Sequence, residues 1–386
     1  MHIGSGVAAK SFHAPMGAAE HHISVTASGG AGLSEQLASL EQRYRGAMLA
    51  LGIGPETAVF RRLFVSDLQN QNGQLSDSWL VREDPDNPVA VSVVEQPPLP
   101  GGKVCMMAYH LSAARPVGKR RLSPRHLLVE SGSHRHLWST GLCAGQTTGE
   151  VSAEEQTRRV FGELTNALAA EDANLRDHCI RTWLYVKDVD VFYKGMVRSR
   201  AELFSHHGLT SDSHFIASTG IQGACSHQFD VVAMDAYSIP GIAPGRMSFL
   251  NDFSRMCPTK DYNVTFERGT RIAYGDRSHL FVSGTASIDH RGHVVHRGDV
   301  IAQLDHALGN VDAILRPAGA GLDDLMHLIV YLRDPTDHGA VDNRLRDRFP
   351  NLPMVLVHGP VCRPEWLIEV EGIAVVSHAD PGLPAF

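Results

Sequence analysis

The stretch "SGTASIDHRGHVVHRGDVIAQLDHALGNVDAILRPAGAGLDDLMHLIVYLRD", residues 283–334, decides the fold of this chain. Apolar residues recur at helical spacing from Ile301 to Leu315 and predict a helix over about 300–315. The Pro-Ala-Gly-Ala-Gly run at 317–321 ends that helix, and "LMHLIVYLRD" predicts a buried strand. A second helix ending near Phe349 and a closing strand, "WLIEVEGIAVV" at 366–376, complete a β-α-β-α-β unit.

The same order of elements occurs two more times along the chain. In the middle, "LWSTGLCAG" (137–145) matches the strand that ends in Ser-Gly, and "FDVVAMDAYSI" (229–239) matches the closing strand. A fainter copy begins with "LASLEQRYRGAMLALGIGPETAVFRRLFVSDL" (37–68). Repeats of this kind predict one structural unit per copy. We therefore predict an α+β fold of three units in one chain, a pseudo-trimer, with units at 31–120, 121–245 and 246–386. Residues 1–30, rich in Gly, Ala, Ser and His, predict a flexible arm.

Composition excludes several classes of function. The 386 residues are 43% apolar and carry a net charge of -7, which gives no electrostatic case for binding nucleic acid or an anionic membrane. No apolar run reaches the ~20 residues of a membrane span, and no signal peptide is visible. The six cysteines and 22 histidines show no zinc-binding spacing. These features predict a cytoplasmic protein with reduced thiols and without a metal site.

Two glutamates on the closing strand stand out. Glu369 and Glu371 point to the same face, because side chains alternate along a strand. The other two copies have Ala233 and Cys105 at the position of Glu369. A carboxylate there is not needed to build the unit, so Glu369 indicates local chemistry.

The third unit resembles the Rid/YjgF family of small trimeric enamine/imine deaminases. The stretches that carry this resemblance are "LFVSGTASID", "AGAGLDDLMHLIVYLRD" and "LIEVEGIAVV". The resemblance implies active clefts between neighbouring units and a glutamate, here Glu369, that positions or activates water. The family's carboxylate-binding arginine is replaced by Met354, which argues against deamination.

From about residue 55 to 378 the chain is more similar to the chorismatases. The matching stretches are "RTWLYVKDVDVFYKGMVRSRAELF", "HFIASTGIQG", "FERGTRIAYGDRSHLFVSGTASIDHRG" and "PVCRPEWLIEVEG". This resemblance implies removal of pyruvate from chorismate without a cofactor. Gly275 and Cys362 match the members that form 3-hydroxybenzoate, whereas hydrolytic members have Ala at the position of Gly275. The expected function is a 3-hydroxybenzoate-forming chorismatase. The alternatives are a chorismate hydrolase, a Rid-like imine deaminase and a non-catalytic ligand-binding protein.

Glu369 is the candidate general acid that protonates the enol ether. Burial on an apolar strand and the neighbouring Glu371 both raise the pKa of such a carboxyl. Arginine suits a dianionic substrate because its planar fork donates two parallel hydrogen bonds to a carboxylate. The candidates are Arg268, Arg271 and Arg363, each of which could instead form an ordinary salt bridge.

The remaining candidate residues have other roles. Tyr274 offers a hydrogen bond to substrate, or else packs within the strand, and Gly275 permits close approach of a ring, or else forms a hairpin turn. Cys362 is a candidate for catalytic proton movement or for packing. Thr219 and Gly220 of the second unit would face the third unit across a cleft. Because three units in one chain can close a ring, we expect a monomer.

Overall fold

The structure, a computed structural model, describes residues 2–4, 6–15, 17–114, 117–145, 148–224, 227–262 and 264–386. Within these ranges the chain forms three six-stranded sheets. The first sheet consists of β1 (His2–Gly4), β2 (Val7–Phe12), β3 (Ala19–Thr26), β4 (Ala58–Val65), β5 (Ala90–Glu95) and β6 (Val104–Ser112). The helices of this unit are α1 (Leu33–Leu51) and α2 (Leu68–Asp77).

The other two units follow the same plan. The second sheet consists of β7 (Gly118–Ser123), β8 (His126–Ser131), β9 (His134–Cys143), β10 (Cys179–Val186), β11 (Ala217–Gln222) and β12 (Val232–Ser238), with α3 (Ala153–Ala169), α4 (Leu175–His178) and α5 (Val189–His206). The third consists of β13 (Met247–Leu250), β14 (Gly269–Ala273), β15 (Arg277–Ala286), β16 (Leu325–Leu332), β17 (Met354–His358) and β18 (Ile368–Ser377), with α6 (Val300–Leu315) and α7 (His338–Arg348).

All three sheets have one topology. In each sheet, the first three strands form an antiparallel meander. The third strand pairs with the sixth, and the sixth pairs with the fourth. The fourth strand pairs in parallel with the fifth. The predicted helix over 300–315 is confirmed as α6. Asp67, Asp188 and Asp334 follow the fourth strand of each sheet, and each carboxylate caps the next helical turn by accepting a backbone N–H. The predicted three-unit α+β fold is confirmed.

The prediction of a flexible arm over residues 1–30 is wrong for the strand-forming part. β3 pairs with β6 along its whole length, from Ala19 to Thr26, and Ile23 and Val25 are fully buried. β3 is buried at six consecutive positions although more than half of its residues are polar, so its sequence shows no strand-like alternation. Their stability comes from the ladder with β6, which lies some 85 residues further along the chain.

The three units contact one another in a closed ring. β5 packs against β9, β11 packs against β15, and β17 packs against β3 and β6. Backbone hydrogen bonds cross these interfaces, including Glu95 N–H to Ala224 O at 2.9 Å, Gln222 N–H to Pro360 O at 3.1 Å and His358 N–H to Pro97 O at 2.8 Å. The clefts that the Rid resemblance predicts therefore lie inside one chain. No helix in the described part of the chain is long and apolar enough to cross a membrane.

Candidate active site

A cavity lies between the second and third units, at the interface of β11 with β15. Its space, including the part open to solvent, is about 450 Å³. The second unit contributes Tyr193, Arg200, Ser218, Thr219 and Gly220, and the third contributes Tyr262, Phe266, Arg268, Gly284, Ala286, Ile288, Cys362, Trp366 and Glu369. The cavity therefore combines aromatic and apolar walls with one carboxyl, one thiol and two guanidinium groups.

Glu369 is the carboxyl group of this cavity. It lies on β18 between Ala286 of β15 and Tyr331 of β16, and only 6% of the residue is exposed. Burial, followed by the nearby Glu371 carboxylate, raises the pKa of Glu369 to about 8, against the opposing effects of Arg181 and Arg268. A carboxyl group with this pKa is largely protonated at neutral pH and can act as a general acid.

Glu371 does not line the cavity but joins the two units. Its carboxylate accepts hydrogen bonds from Arg181 Nη2 at 2.6 Å, Trp183 Nε1 at 2.8 Å and Tyr331 OH at 3.1 Å. The Thr219 hydroxyl donates a further, short hydrogen bond to it. Three of these four donors come from the second unit. Glu371 is therefore a fully partnered interface carboxylate that also places its charge near Glu369.

Two buried arginines bring positive charge to the cavity. Arg268 donates from Nη2 to the Cys257 carbonyl at 3.3 Å, and Arg200 donates from Nε to the Thr265 hydroxyl at 3.2 Å. Within the described residues, Arg268 Nε and Arg200 Nη2 are buried and have no hydrogen-bond partner. Buried donors in this state are rare, and a bound carboxylate would satisfy them.

Arg200 was missed by the sequence analysis, although a signal was present. Met196, Arg200 and Phe204 occur at spacing i, i+4, i+8 on the buried face of α5. An arginine on the apolar stripe of a helix requires a buried partner, so this position could have been singled out.

Cys362 and Tyr193 face each other in the same cavity. Burial, followed by the charge of Glu369, raises the pKa of the Cys362 thiol to about 12, while a hydrogen bond with Tyr193 opposes this. The thiol is therefore protonated at neutral pH.

Thr219 and Gly220 contact other residues of the cavity. The Thr219 hydroxyl accepts a hydrogen bond from the Gly284 N–H at 2.9 Å, and a side chain on Gly220 would press against the Tyr193 ring at 3.0 Å. The sequence predicted Cys362, Thr219 and Gly220 at the site, and the structure brings all three together with Glu369.

Comparison with known proteins agrees with this architecture. The family profile described as endoribonuclease L-PSP matches residues 270–376. A 3-aminoacrylate deaminase, RutC, from Acinetobacter baylyi is 33% identical over 99 residues, which cover 25% of this chain and 79% of that protein. The chain belongs to the Rid family.

Two further relatives cover more of this Rid-family chain. A 3-hydroxybenzoate synthase from Streptomyces hygroscopicus is 28% identical over 262 residues, which are 60% of this chain and 73% of that protein. A crystal structure of a chorismatase covers 83% of this chain and 94% of its own, with a TM-score of 0.61 and 19% identity. The predicted resemblance to the chorismatases is thus confirmed, and the three-unit ring is the chorismatase fold.

Three predicted site residues of this Rid-family chain lie away from the cavity. Gly275 lies in the turn between β14 and β15, where its N–H donates to the Pro384 carbonyl at 2.9 Å. Tyr274 packs on His279 and Phe386, and Arg271 donates from Nε to the Ser278 hydroxyl at 3.1 Å. Contrary to the expectation that they share a site with Glu369, none of the three lines this cavity. The β14–β15 hairpin carries them to the end of β15 opposite to Ala286, which pairs with Glu369.

Arg363 lies behind the wall of the cavity rather than in it. Its Nη1 donates to the Gly292 carbonyl at 3.0 Å, and its guanidinium lies over the rings of Tyr262 and Trp366 at 5.0 and 4.6 Å. Both rings line the cavity. Arg363 therefore supports the aromatic wall.

The sequence predicted that Gly275 leaves space for close approach of a ring, but in the structure Gly284 leaves this space. A methyl group on Gly284 would overlap with the Glu369 carboxylate and approach the Thr219 side chain at 3.1 Å. A methyl group on Gly275 would instead collide with the backbone of Leu383, far from the acid. Space beside the acid thus depends on Gly284.

Proposed function

We propose that this protein is an enzyme that cleaves chorismate to pyruvate and 3-hydroxybenzoate without a cofactor. The observation that carries the proposal is Glu369, a buried carboxyl group with its pKa raised to about 8. It shares a cavity with Arg200 and Arg268, each of which has one buried guanidinium nitrogen without a hydrogen-bond partner in the described part of the chain. The 28% identity to a 3-hydroxybenzoate synthase supports it.

The two arginines match the charge of the substrate. Chorismate carries two carboxylates, and each needs charge-assisted hydrogen bonds once it leaves water. Arg200 and Arg268 approach the cavity from different units, so one guanidinium is available for each carboxylate. Binding across the interface places the enol ether between the units, where Glu369 lies.

Glu369 then supplies the proton that starts the reaction. Transfer of this proton to the methylene carbon of the enol ether gives an oxocarbenium ion, and the bond between the ether oxygen and the ring carbon breaks as pyruvate leaves. The oxygen of the hydroxyl group on C4 replaces the leaving ether oxygen on C3, which gives a 3,4-epoxide, and the hydroxyl proton returns to the Glu369 carboxylate. The epoxide C4–O bond then breaks as its oxygen takes up a proton, and loss of the proton on C3 gives 3-hydroxybenzoate. Pyruvate and 3-hydroxybenzoate together contain all the atoms of chorismate, so no water is consumed.

The choice of product depends on the exclusion of water. Glu369, Cys362 and Arg200 share the cavity with the rings of Tyr193, Tyr262 and Trp366. With chorismate bound against these rings, water would be kept from the oxocarbenium ion. The protonated Cys362 thiol, hydrogen-bonded to Tyr193, is placed to assist the proton transfers of aromatisation. With water as nucleophile, the same site would give a non-aromatic dihydroxy acid.

A deaminase function is less well supported. Met354 occupies the position of the family's substrate-binding arginine, and its backbone N–H bonds to the Ser24 hydroxyl at the interface between the third and first units.

One assay separates these functions. Purified protein is mixed with chorismate, pyruvate is followed with lactate dehydrogenase and NADH, and the other product is resolved by chromatography. We expect pyruvate and 3-hydroxybenzoate in equal amounts. Pyruvate with a non-aromatic diol would indicate hydrolysis. Turnover of 2-iminobutyrate without chorismate cleavage would indicate deamination. If calorimetry detects chorismate binding but the assay detects no turnover, the protein binds chorismate without acting as an enzyme.

We also propose that the protein acts as a monomer in the cytoplasm. The ring of three units is closed within one chain, so no partner subunit is needed to complete the cavity. Light scattering at several protein concentrations tests this, and a trimer of the chain at low concentration would contradict it.

A further inference from the structure

The cleft between the first and second units is the structural repeat of the candidate active site. In the second unit, Thr140 N–H donates to the Arg125 carbonyl at 2.9 Å, just as Ser283 N–H donates to the Arg268 carbonyl at 2.9 Å in the third. Arg125 is therefore the counterpart of the cavity residue Arg268.

The counterparts of other active-site positions follow in the same way. Asp230 N–H donates to the His227 carbonyl at 3.1 Å, and Trp366 N–H donates to the Arg363 carbonyl at 3.0 Å. His227 and Asp230 thus correspond to Arg363 and Trp366. Cys143 pairs with Ala233 across β9 and β12, as Ala286 pairs with Glu369 across β15 and β18. Cys143 is therefore the counterpart of Ala286.

The residues at these equivalent positions have a different chemistry. The Cys143 sulfur, a His227 ring nitrogen and an Asp230 carboxylate oxygen all lie within 4.8 Å of one another. In the part of the chain that the structure describes, this is the one such group of ligand-type side chains. Cys143 and Asp230 are buried, whereas His227 is exposed and free to adjust. One sulfur, one nitrogen and one oxygen ligand suit Zn²⁺, which binds three protein ligands and an exchangeable water in its open sites.

The surroundings of this group also resemble those of a metal site. Arg125 Nη2 donates to the Cys143 sulfur at 3.2 Å, and Gly145 N–H donates to Asp230 Oδ2 at 3.0 Å. Such outer hydrogen bonds hold metal ligands in place. The charge of Arg125 is offset by Glu163, whose carboxylate accepts from Nη1 at 2.9 Å. The ion pair of Arg125 and Glu163 therefore adds no net positive charge to the site.

We propose that Cys143, His227 and Asp230 bind a divalent cation of the zinc class, with the fourth position open to water. The ion would tie the end of β9 to the segment before β12. No metal site was expected from the sequence, because Cys143 is 84 residues from His227 and no spacing motif connects them. The inference does not rest on the proposed function.

Metal binding by the full chain tests the proposal. The protein is freed of metal with a chelator, dialysed against Zn²⁺ or Co²⁺ and analysed for bound metal. We expect one ion per chain and, with Co²⁺, a thiolate-to-cobalt charge-transfer band. Cys143→Ser should abolish the band, and His227→Ala should weaken Zn²⁺ binding by at least about 10-fold. His293→Ala is the matched control, because His293 is another exposed histidine beside an aspartate, Asp289, and should change nothing.

Two outcomes would overturn the proposal. One is the absence of stoichiometric Zn²⁺ and Co²⁺ binding by the unmodified protein. The other is a Zn²⁺ affinity that stays the same in His227→Ala, whose exposed side chain can be removed without unfolding the protein. Chorismate cleavage is measured on the same samples. We expect it to be unchanged in His227→Ala, so failure of the metal site and failure of the proposed function are distinguishable.

Discussion

Two clefts of the ring share one kind of carboxylate network but differ in the acid beside it. The first cleft lies between the second and third units, and the other lies between the first and second units. At the first of these clefts, Glu371 is bonded to Arg181, Trp183, Thr219 and Tyr331. At the other, the equivalent Asp235 accepts from Arg62 at 2.9 Å, Ser92 at 2.6 Å, Tyr185 at 3.2 Å and the Gly141 N–H at 2.8 Å. The network occurs with and without an acid two residues earlier.

This difference separates structure from chemistry. A buried carboxylate needs a full set of partners, and at both interfaces those partners come partly from the neighbouring unit. Glu371 and Asp235 therefore hold the ring together. Glu369, in contrast, has Ala233 as its counterpart. It shares its cavity with two guanidinium groups that each have one buried nitrogen without a partner among the described residues. Of these two clefts, as far as the structure describes them, the cleft of Glu369 is the one with an acid at this position of the closing strand.

The largest expected effect comes from removing the acid. Glu369→Gln should lower kcat for pyruvate release by about 10²- to 10⁴-fold, because the amide cannot donate the proton. Coupled pyruvate detection measures this. Glu365→Gln is the control, because Glu365 is an exposed glutamate three positions before strand β18. Full activity in Glu369→Gln would remove the distinction between the two clefts.

The second effect concerns the arginine that sequence reasoning missed. Arg200→Gln should weaken chorismate binding by about 10- to 100-fold, since a charge-assisted hydrogen bond contributes about 1.5–3 kcal/mol. The change should appear mainly in KM, measured by steady-state kinetics with a parallel melting curve. Arg271→Gln, which removes an arginine outside the cavity, serves as the matched control. Equal KM values for both variants would place the substrate elsewhere.

A third and smaller effect distinguishes two glycines. Gly284→Ala should reduce turnover and change the ratio of 3-hydroxybenzoate to diol, because the added methyl group displaces Glu369 and the bound ring. Gly275→Ala should lower the melting temperature, through its collision with Leu383, and leave the product ratio unchanged. Chromatography of the products checks both. A product change confined to Gly275→Ala would reverse this assignment.

The smallest expected effect is a shift in the pH profile. Protonated Glu369 is the active form, so turnover should be present at low pH and fall as the pH rises through about 8. Glu371→Gln removes the like charge that raises the pKa of Glu369, so the alkaline limb should move to lower pH. Asp235→Asn disturbs the equivalent network beside Ala233 and should leave the limb in place. Equal shifts in the two variants would show that general destabilisation, and not the local charge, is responsible.

Local patterns in the chain were enough to predict much of the fold. The helical spacing from Ile301 to Leu315 and the breaker at 317–321 predicted α6 with its observed bounds. The comparison of three copies singled out Glu369, because an acid present in one copy alone is not needed for folding. The strands before α1 were missed, since their partner β6 is distant in sequence.

The amino-acid sequence alone was sufficient for the repeated unit, the candidate acid and the kinship with the Rid family, because helix periodicity, strand alternation and repeats act over short distances along the chain. Which side chains share the cavity was decided by tertiary structure. Arg200 enters it from a helix of the second unit, and Gly275 leaves it at the far end of a hairpin, because packing between units and the direction of β15 set those distances. The spacing of residues along one segment predicts neither that Arg200 enters the cavity nor that Gly275 lies away from it.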